Sequence, residues 1–227
     1  MRLLLIRHGQ TDDNVTGRLG AVVPGPGLTE LGLEQASAVA QALRDEDIEA
    51  IYVSDMIRTR LTAEPLAAER GIDPVELPGL REISSGDLEG MSDKESVRKY
   101  VDPIIGWWSD QSGRIPGGEN GHQFFARYDD AIRRIASTHV GTVAVFSHGA
   151  AIRTWAAWTA ANLDEENTRG LFLDNTGIVV LEGDPETGWT AILWEGKPIG
   201  GPTLDDQTAV DPTGDLSESS AEDSASA

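Results

Sequence analysis

Short apolar runs alternate with longer amphipathic stretches along this chain, the one-dimensional signature of a layered α/β domain. Residues 3–6 (Leu-Leu-Leu-Ile) are wholly apolar, as a strand covered on both faces must be. A helix is predicted over 29–44, with Thr29 as N-cap and apolar positions at Leu31, Ala36, Val39, Ala40 and Leu43. Residues 51–53 form a second buried run, followed by a helical stretch over 57–69 that carries Pro65 as an awkward interior residue. A third strand is expected at 75–77 and a strong one at 142–146, which leads into a helix from about 150 to 161. Two further runs, 177–181 and 189–194, are joined by a turn of Gly, Asp, Pro and Glu and read as a closing hairpin. The pattern predicts one domain over residues 1–200, a three-layer α/β/α sandwich with a mostly parallel central sheet. Residues 83–120 are less regular, rich in Gly, Ser and Asp, and are read as an insertion covering a substrate site. Beyond Gly200 the apolar period vanishes, and 201–227 is read as a disordered acidic tail.

Charge changes this picture at one point. The 227 residues carry a formal net charge of -20, of which seven carboxylates and no compensating cation fall in 201–227, leaving -13 for the rest. So acidic a surface repels nucleic acid and anionic lipid, and neither is expected as a partner. An anionic substrate must then be held by a local cluster of positive groups. There are no cysteines, which rules out disulfides, thiolate nucleophiles and Cys-ligated zinc. The opening apolar run is too short for a signal-peptide core, and no stretch approaches the roughly 18 apolar residues of a membrane span. A cytoplasmic location is expected.

Ligands of open α/β sheets bind at the carboxyl ends of the strands. Those ends carry Arg7-His8-Gly9-Gln10-Thr11 with Asn14 after the first strand, and Ser54-Asp55 with Arg58 after the second. Arg81-Glu82 follows the third, and Ser147-His148-Gly149 the strong strand. Phosphoryl transfer needs positive donors for the equatorial oxygens, an in-line nucleophile and an acid for the leaving alkoxide. Arg7 and Arg58 supply planar forks. A neutral His8 supplies the nucleophile, and Glu82, with its pKa raised by burial, the acid. The N–H groups after His148, at Gly149 and beyond, form a helix N-terminus suited to an anion. Each residue alone has an ordinary structural reading; Asn14 is as well suited to holding its loop as to touching substrate. Asp12-Asp13 read as a solvated turn, His122 and His139 as surface residues, and Trp107 and Trp108 as packing.

These residues fall into motifs that resemble the histidine phosphatase (phosphoglycerate mutase-like) superfamily. The match comprises Leu5-Ile6-Arg7-His8-Gly9-Gln10-Thr11 with Asn14, Leu28-Thr29-Glu30-Leu31-Gly32, Ser54-Asp55-Met56-Ile57-Arg58-Thr59, Leu80-Arg81-Glu82, Gly117-Gly118-Glu119 and Phe146-Ser147-His148-Gly149. They run in family order over roughly residues 1–155. The resemblance implies a phosphoglycerate mutase-like fold and a phosphohistidine at His8. It implies a phosphate pocket of Arg7, Arg58 and His148, a phosphate or substrate contact from Asn14, and Glu82 as proton donor. No metal or cofactor is expected, and the expected partner is a small phosphorylated metabolite.

Within that resemblance the chain leans toward metal-independent phosphomonoester hydrolysis rather than mutase transfer. Mutases place Trp before the first-motif Asn and follow the acid with Arg-His-Tyr; here Asp13 precedes Asn14, and Ile83-Ser84-Ser85 follows Glu82. A mutase remains the alternative within the family. A non-catalytic phosphate-ester or protein-binding relative is the alternative outside catalysis, and a phosphatase assay on generic phosphomonoesters separates them.

Overall fold

A computed structural model describes residues 1–206, 208–209 and 211–214. Six strands form one sheet in the order β3-β2-β4-β1-β5-β6. The strands are β1 (Arg2–Arg7), β2 (Ile48–Val53), β3 (Val75–Glu76), β4 (Thr142–Ser147), β5 (Ile178–Asp184) and β6 (Gly188–Glu195). The first four run parallel to one another, and the β5–β6 hairpin adds an antiparallel edge beside β1.

The apolar runs of β1 and β4 are buried on both faces because each face is covered by helices. Leu4 and Ile6 face α2 (Glu30–Ala42) and α3 (Ile57–Arg70), packing with Val39, Leu43, Ala63 and Leu66. Leu3 and Leu5 alternate to the opposite face, joining a cluster with Phe124, Tyr128, Trp155 and Trp189. That face is built by α4 (Lys94–Gly106), α5 (Gly121–Ala136) and α6 (Gly149–Thr159); two short helices, α1 (Asp12–Thr16) and α7 (Glu165–Thr168), lie in the connections. The architecture is the predicted three-layer sandwich.

Two features differ from the sequence expectations. Residues 83–120 are not wholly irregular, since they contain α4, N-capped by Asp93 through its acceptance of the Ser96 N–H. Trp107, just after α4, stacks on Phe124 at 5.7 Å and donates to the Gly113 carbonyl at 2.8 Å, a packing role. The acidic stretch after Gly200 is likewise not free of structure. Pro202–Leu204 forms a short 3-10 turn, and residues 211–214 return to the domain, where Thr213 is buried. The remainder of the predicted disordered tail, 207, 210 and 215–227, lies outside the described residues.

Candidate active site

Strand register places the site. In the parallel β1–β4 pair Arg7 lies opposite Ser147, and each is followed by a histidine. The His8 N–H donates to the Ser147 carbonyl at 3.0 Å, and the His8 and His148 ring centroids are 5.2 Å apart. On the other side of β4, Val53 pairs with Phe146, which brings Ser54 to the same rim. Two histidines far apart in sequence thus become neighbours by one register choice.

Hydrogen bonds fix the form of both rings. His8 Nδ1 is 2.8 Å from the Gly9 carbonyl, which can only accept, so Nδ1 carries the proton and Nε2 keeps its lone pair. Burial, and after it the positive charges of Arg58 and Arg7, holds the His8 pKa well below the usual imidazole value, so the ring is neutral. Arg58 Nε donates to His148 Nδ1 at 3.3 Å, which places the His148 proton on Nε2, 2.8 Å from Ser54 Oγ. Burial, then Arg58 and His8, lowers the His148 pKa in the same sense. Gly9 has no alternative at its position: a Cβ there would stand 2.7 Å from the Gly32 carbonyl in the first turn of α2.

Arg58 comes from the first turn of α3, is buried, and also donates from a terminal nitrogen to the Gly20 carbonyl at 2.9 Å. Arg7 is fully buried. One terminal nitrogen donates to the Leu173 carbonyl at 2.7 Å, and the other to Thr213 Oγ1 at 2.9 Å and to the Asp211 carboxylate. Among the described residues its Nε finds no partner. Gly149, the first residue of α6, is glycine for a steric reason, because a Cβ would lie 2.9 Å from that Nε and 2.7 Å from the Thr213 carbonyl.

Glu82 sits against the α6 N-terminus that was expected to receive an anion. Its Oε1 accepts from the Ala151 and Ile83 N–H groups, both at 2.8 Å, and Oε2 from Ala150 at 3.2 Å. Those donors and the two arginines favour the carboxylate, but burial outweighs them and pushes the Glu82 pKa upward. Arg127 clamps the segment from behind, donating to the carbonyls of Gly79, Arg81 and Glu82 at 2.9 Å each. Its own guanidinium is held by Glu119 at 2.6 Å, while Glu119 also accepts from the Ser84 N–H at 2.9 Å.

Asn14 holds its loop and keeps its amide nitrogen turned toward the Asp211 side chain. Its Oδ1 accepts from the Thr11 N–H at 3.0 Å and from Asn175 Nδ2 at 3.2 Å, bracing the loop, while its Nδ2 donates to Asp211 at 3.2 Å. Arg7, His8, Asn14, Arg58, Glu82, His148 and Gly149 are therefore gathered at one end of the sheet. Other candidates are not. Arg81 is paired with Asp55 at the surface, and His139 bonds Tyr52 at 3.0 Å. Among the described residues no three His, Asp or Glu side chains stand together as a metal site. Sequence reasoning missed Arg127, Asn175, Asp211 and Thr213, whose polar contacts follow no local period; only Arg127, one helical turn after the buried Phe124 of α5, carried a pattern that could have been read.

Comparison with known proteins places the chain. Residues 3–196 match the family model of the histidine phosphatase superfamily (branch 1), and the chain belongs to that family. It is 34% identical over 91% of its length to the PE-PGRS family protein PE_PGRS11 of Mycobacterium tuberculosis, of which it spans 38%. It is 36% identical over 66% of its length to a metal-independent phosphoserine phosphatase of Arabidopsis thaliana, spanning 65% of that protein. Among solved structures, a mycobacterial glucosyl-3-phosphoglycerate phosphatase in complex with VO3 superimposes with a TM-score of 0.72 at 27% identity, covering 86% of this chain and 99% of that one. No helix among the described residues is long and apolar enough to cross a membrane.

Proposed function

We propose that this chain is a phosphomonoester hydrolase that passes the phosphoryl group first to His8 Nε2 and then to water. The observation that carries the reading is the Nδ1–Gly9 hydrogen bond, which leaves Nε2 of a neutral, buried imidazole as a lone pair among guanidinium groups. In the first step that lone pair forms the N–P bond while the ester P–O bond breaks. Arg58 and the unpartnered Nε of Arg7 meet the equatorial oxygens, and His148 lines the same pocket. Glu82 gives its proton to the leaving oxygen; the raised pKa supplies that proton, and Oε2, with the single longer N–H contact, is its seat. In the second step the Glu82 carboxylate takes a proton from water, whose oxygen attacks phosphorus and releases His8 and phosphate.

Water is the acceptor in this reading because Ile83-Ser84-Ser85 offers no cationic group to hold a sugar-acid carboxylate, and the Ser84 N–H is already engaged by Glu119. The substrate class is a small phosphorylated metabolite, in keeping with the phosphoserine and glucosyl-3-phosphoglycerate phosphatases named above. The test is a hydrolysis screen over phosphorylated metabolites in EDTA, with His8→Ala as blank. Turnover in the chelator is expected; activity lost to EDTA and restored by one divalent metal contradicts the mechanism.

Glu82→Gln separates acid catalysis from packing. Sugar and alkyl phosphates should be badly impaired and p-nitrophenyl phosphate much less, since nitrophenolate leaves without a proton. Protonation of His8 sets the acid limb of the kcat/KM profile, and its lowered pKa puts that limb below the ordinary histidine value of 6.5. Ionisation of Glu82 sets the alkaline limb, and its raised pKa puts that limb above the ordinary glutamate value of 4.5. The substitution should remove the alkaline limb and leave the acid one; equal impairment on both ester types with an unchanged profile assigns Glu82 a structural role.

A further inference from the structure

We infer that the acidic segment after Gly200 is an internal competitor for the phosphate site, with the Asp211 carboxylate seated where substrate phosphate would bind. The inference rests on the phosphatase reading above, because it takes Arg7 and Asn14 as phosphate ligands. One Asp211 oxygen, Oδ2, is shared by a terminal nitrogen of Arg7 and by Asn14 Nδ2, the latter at 3.2 Å. An oxyanion bridging a buried guanidinium and an amide is the contact a phosphate oxygen would make in the same place. The other oxygen, Oδ1, accepts from the Thr213 N–H at 3.2 Å and from Thr213 Oγ1 at 2.9 Å, so the carboxylate is aimed by its own turn. Thr213 Oγ1 in turn accepts from Arg7 at 2.9 Å, and the Gly214 carbonyl accepts from the Leu173 N–H at 2.9 Å. The segment thus occupies one terminal nitrogen of Arg7, beside the unpartnered Nε, and closes over Gly149.

Its attachment is polar and shallow, which suits a group that must leave. Upstream it is pinned by Gln35 to the Leu204 carbonyl at 2.8 Å, Gln10 to Asp206 at 2.9 Å and Lys197 to Asp205 at 2.8 Å. It bridges a small polar cavity of about 50 Å³ lined by Gln10, Gln35, Asp174 and Asn175 instead of packing into it. Of its described side chains only that of Thr213 is buried, so little apolar burial resists detachment. A tethered carboxylate acts at the effective concentration of a short linker, on the order of millimolar. Substrate sees only the fraction of molecules in which Arg7 is free, and apparent affinity falls by that fraction.

The test uses the full-length chain and inorganic phosphate, titrated by calorimetry into the wild type, Asp211→Asn and Asp211→Ala, with thermal melts to verify folding. Both variants should bind phosphate at least about tenfold more tightly than the wild type, the change expected if the closed form holds nine-tenths of the population. In turnover assays KM should fall by a similar factor while kcat holds. Unchanged or weaker phosphate binding in both variants overturns the inference, as does a loss of kcat, which would make Asp211 a support of the site. Absence of phosphate binding in all three proteins overturns the phosphate-site reading itself, and the inference with it.

Discussion

His8→Ala should lower kcat/KM on every phosphomonoester by about 10⁴-fold or more, the scale on which enzymes lose activity when a covalent nucleophile is removed. The side chain contributes the only free imidazole lone pair at the rim, because Nδ1 of His148 is taken by Arg58 and its Nε2–H by Ser54. Neither group can move into the vacated role without breaking a buried hydrogen bond. Substrate binding should survive, since Arg58 and Arg7 are anchored independently of the His8 ring. The expected pattern is therefore a collapse of kcat with a nearly unchanged Kd for phosphate, read by single-turnover kinetics and calorimetry. Activity within tenfold of wild type would remove His8 from the chemistry.

Arg58→Ala should lower turnover by at least about a hundredfold, the range found when a transition-state donor is deleted. The structure adds a reason for a further loss. Arg58 reaches the His148 ring with Nε and the Gly20 carbonyl with a terminal nitrogen, so one planar group fixes two sides of the pocket. Arg58→Lys restores the charge but places a single ammonium where two separated donors are needed. It should recover only part of the lost activity. Full activity in the lysine variant would show that charge alone matters there. Comparable losses in kcat and kcat/KM are expected, because the donor acts on charge that develops in the transition state.

Much of this site was legible in the chain because strand ends announce themselves. The apolar runs before His8 and His148 marked β1 and β4, and their placement as neighbours needed only a parallel sheet. Thr29 and its apolar positions marked α2 within two residues of its observed end. The third layer was read less well. Phe124, Phe125, Tyr128, Ala131, Ile132 and Ile135 of α5 follow a helical period after the Asn120 cap, a signal that was present and not used. In α4 the period is blurred by Pro103 and closed by Gly106, which left the segment looking like loop. The α6 N-terminus was expected to receive an anionic ligand, but its Ala150 and Ala151 N–H groups are bonded to Glu82, a long-range partner that no local pattern encodes. The described part of the acidic stretch after Gly200 departs from expectation in the same way: low hydrophobicity predicts disorder, but Leu204, Asp206 and Asp211 are held by polar contacts to Gln35, Gln10 and Arg7.

The central claim is a phosphorylated imidazole at His8, and rapid quenching without acid tests it directly. Mixing the protein with a ³²P-labelled phosphomonoester and quenching within one turnover should yield a protein-bound label that is stable in alkali and lost in acid. Peptide mapping should place that label on His8, and the His8→Ala protein should carry none. Label that survives acid, that maps to a serine, aspartate or His148, or that persists in His8→Ala would contradict the account.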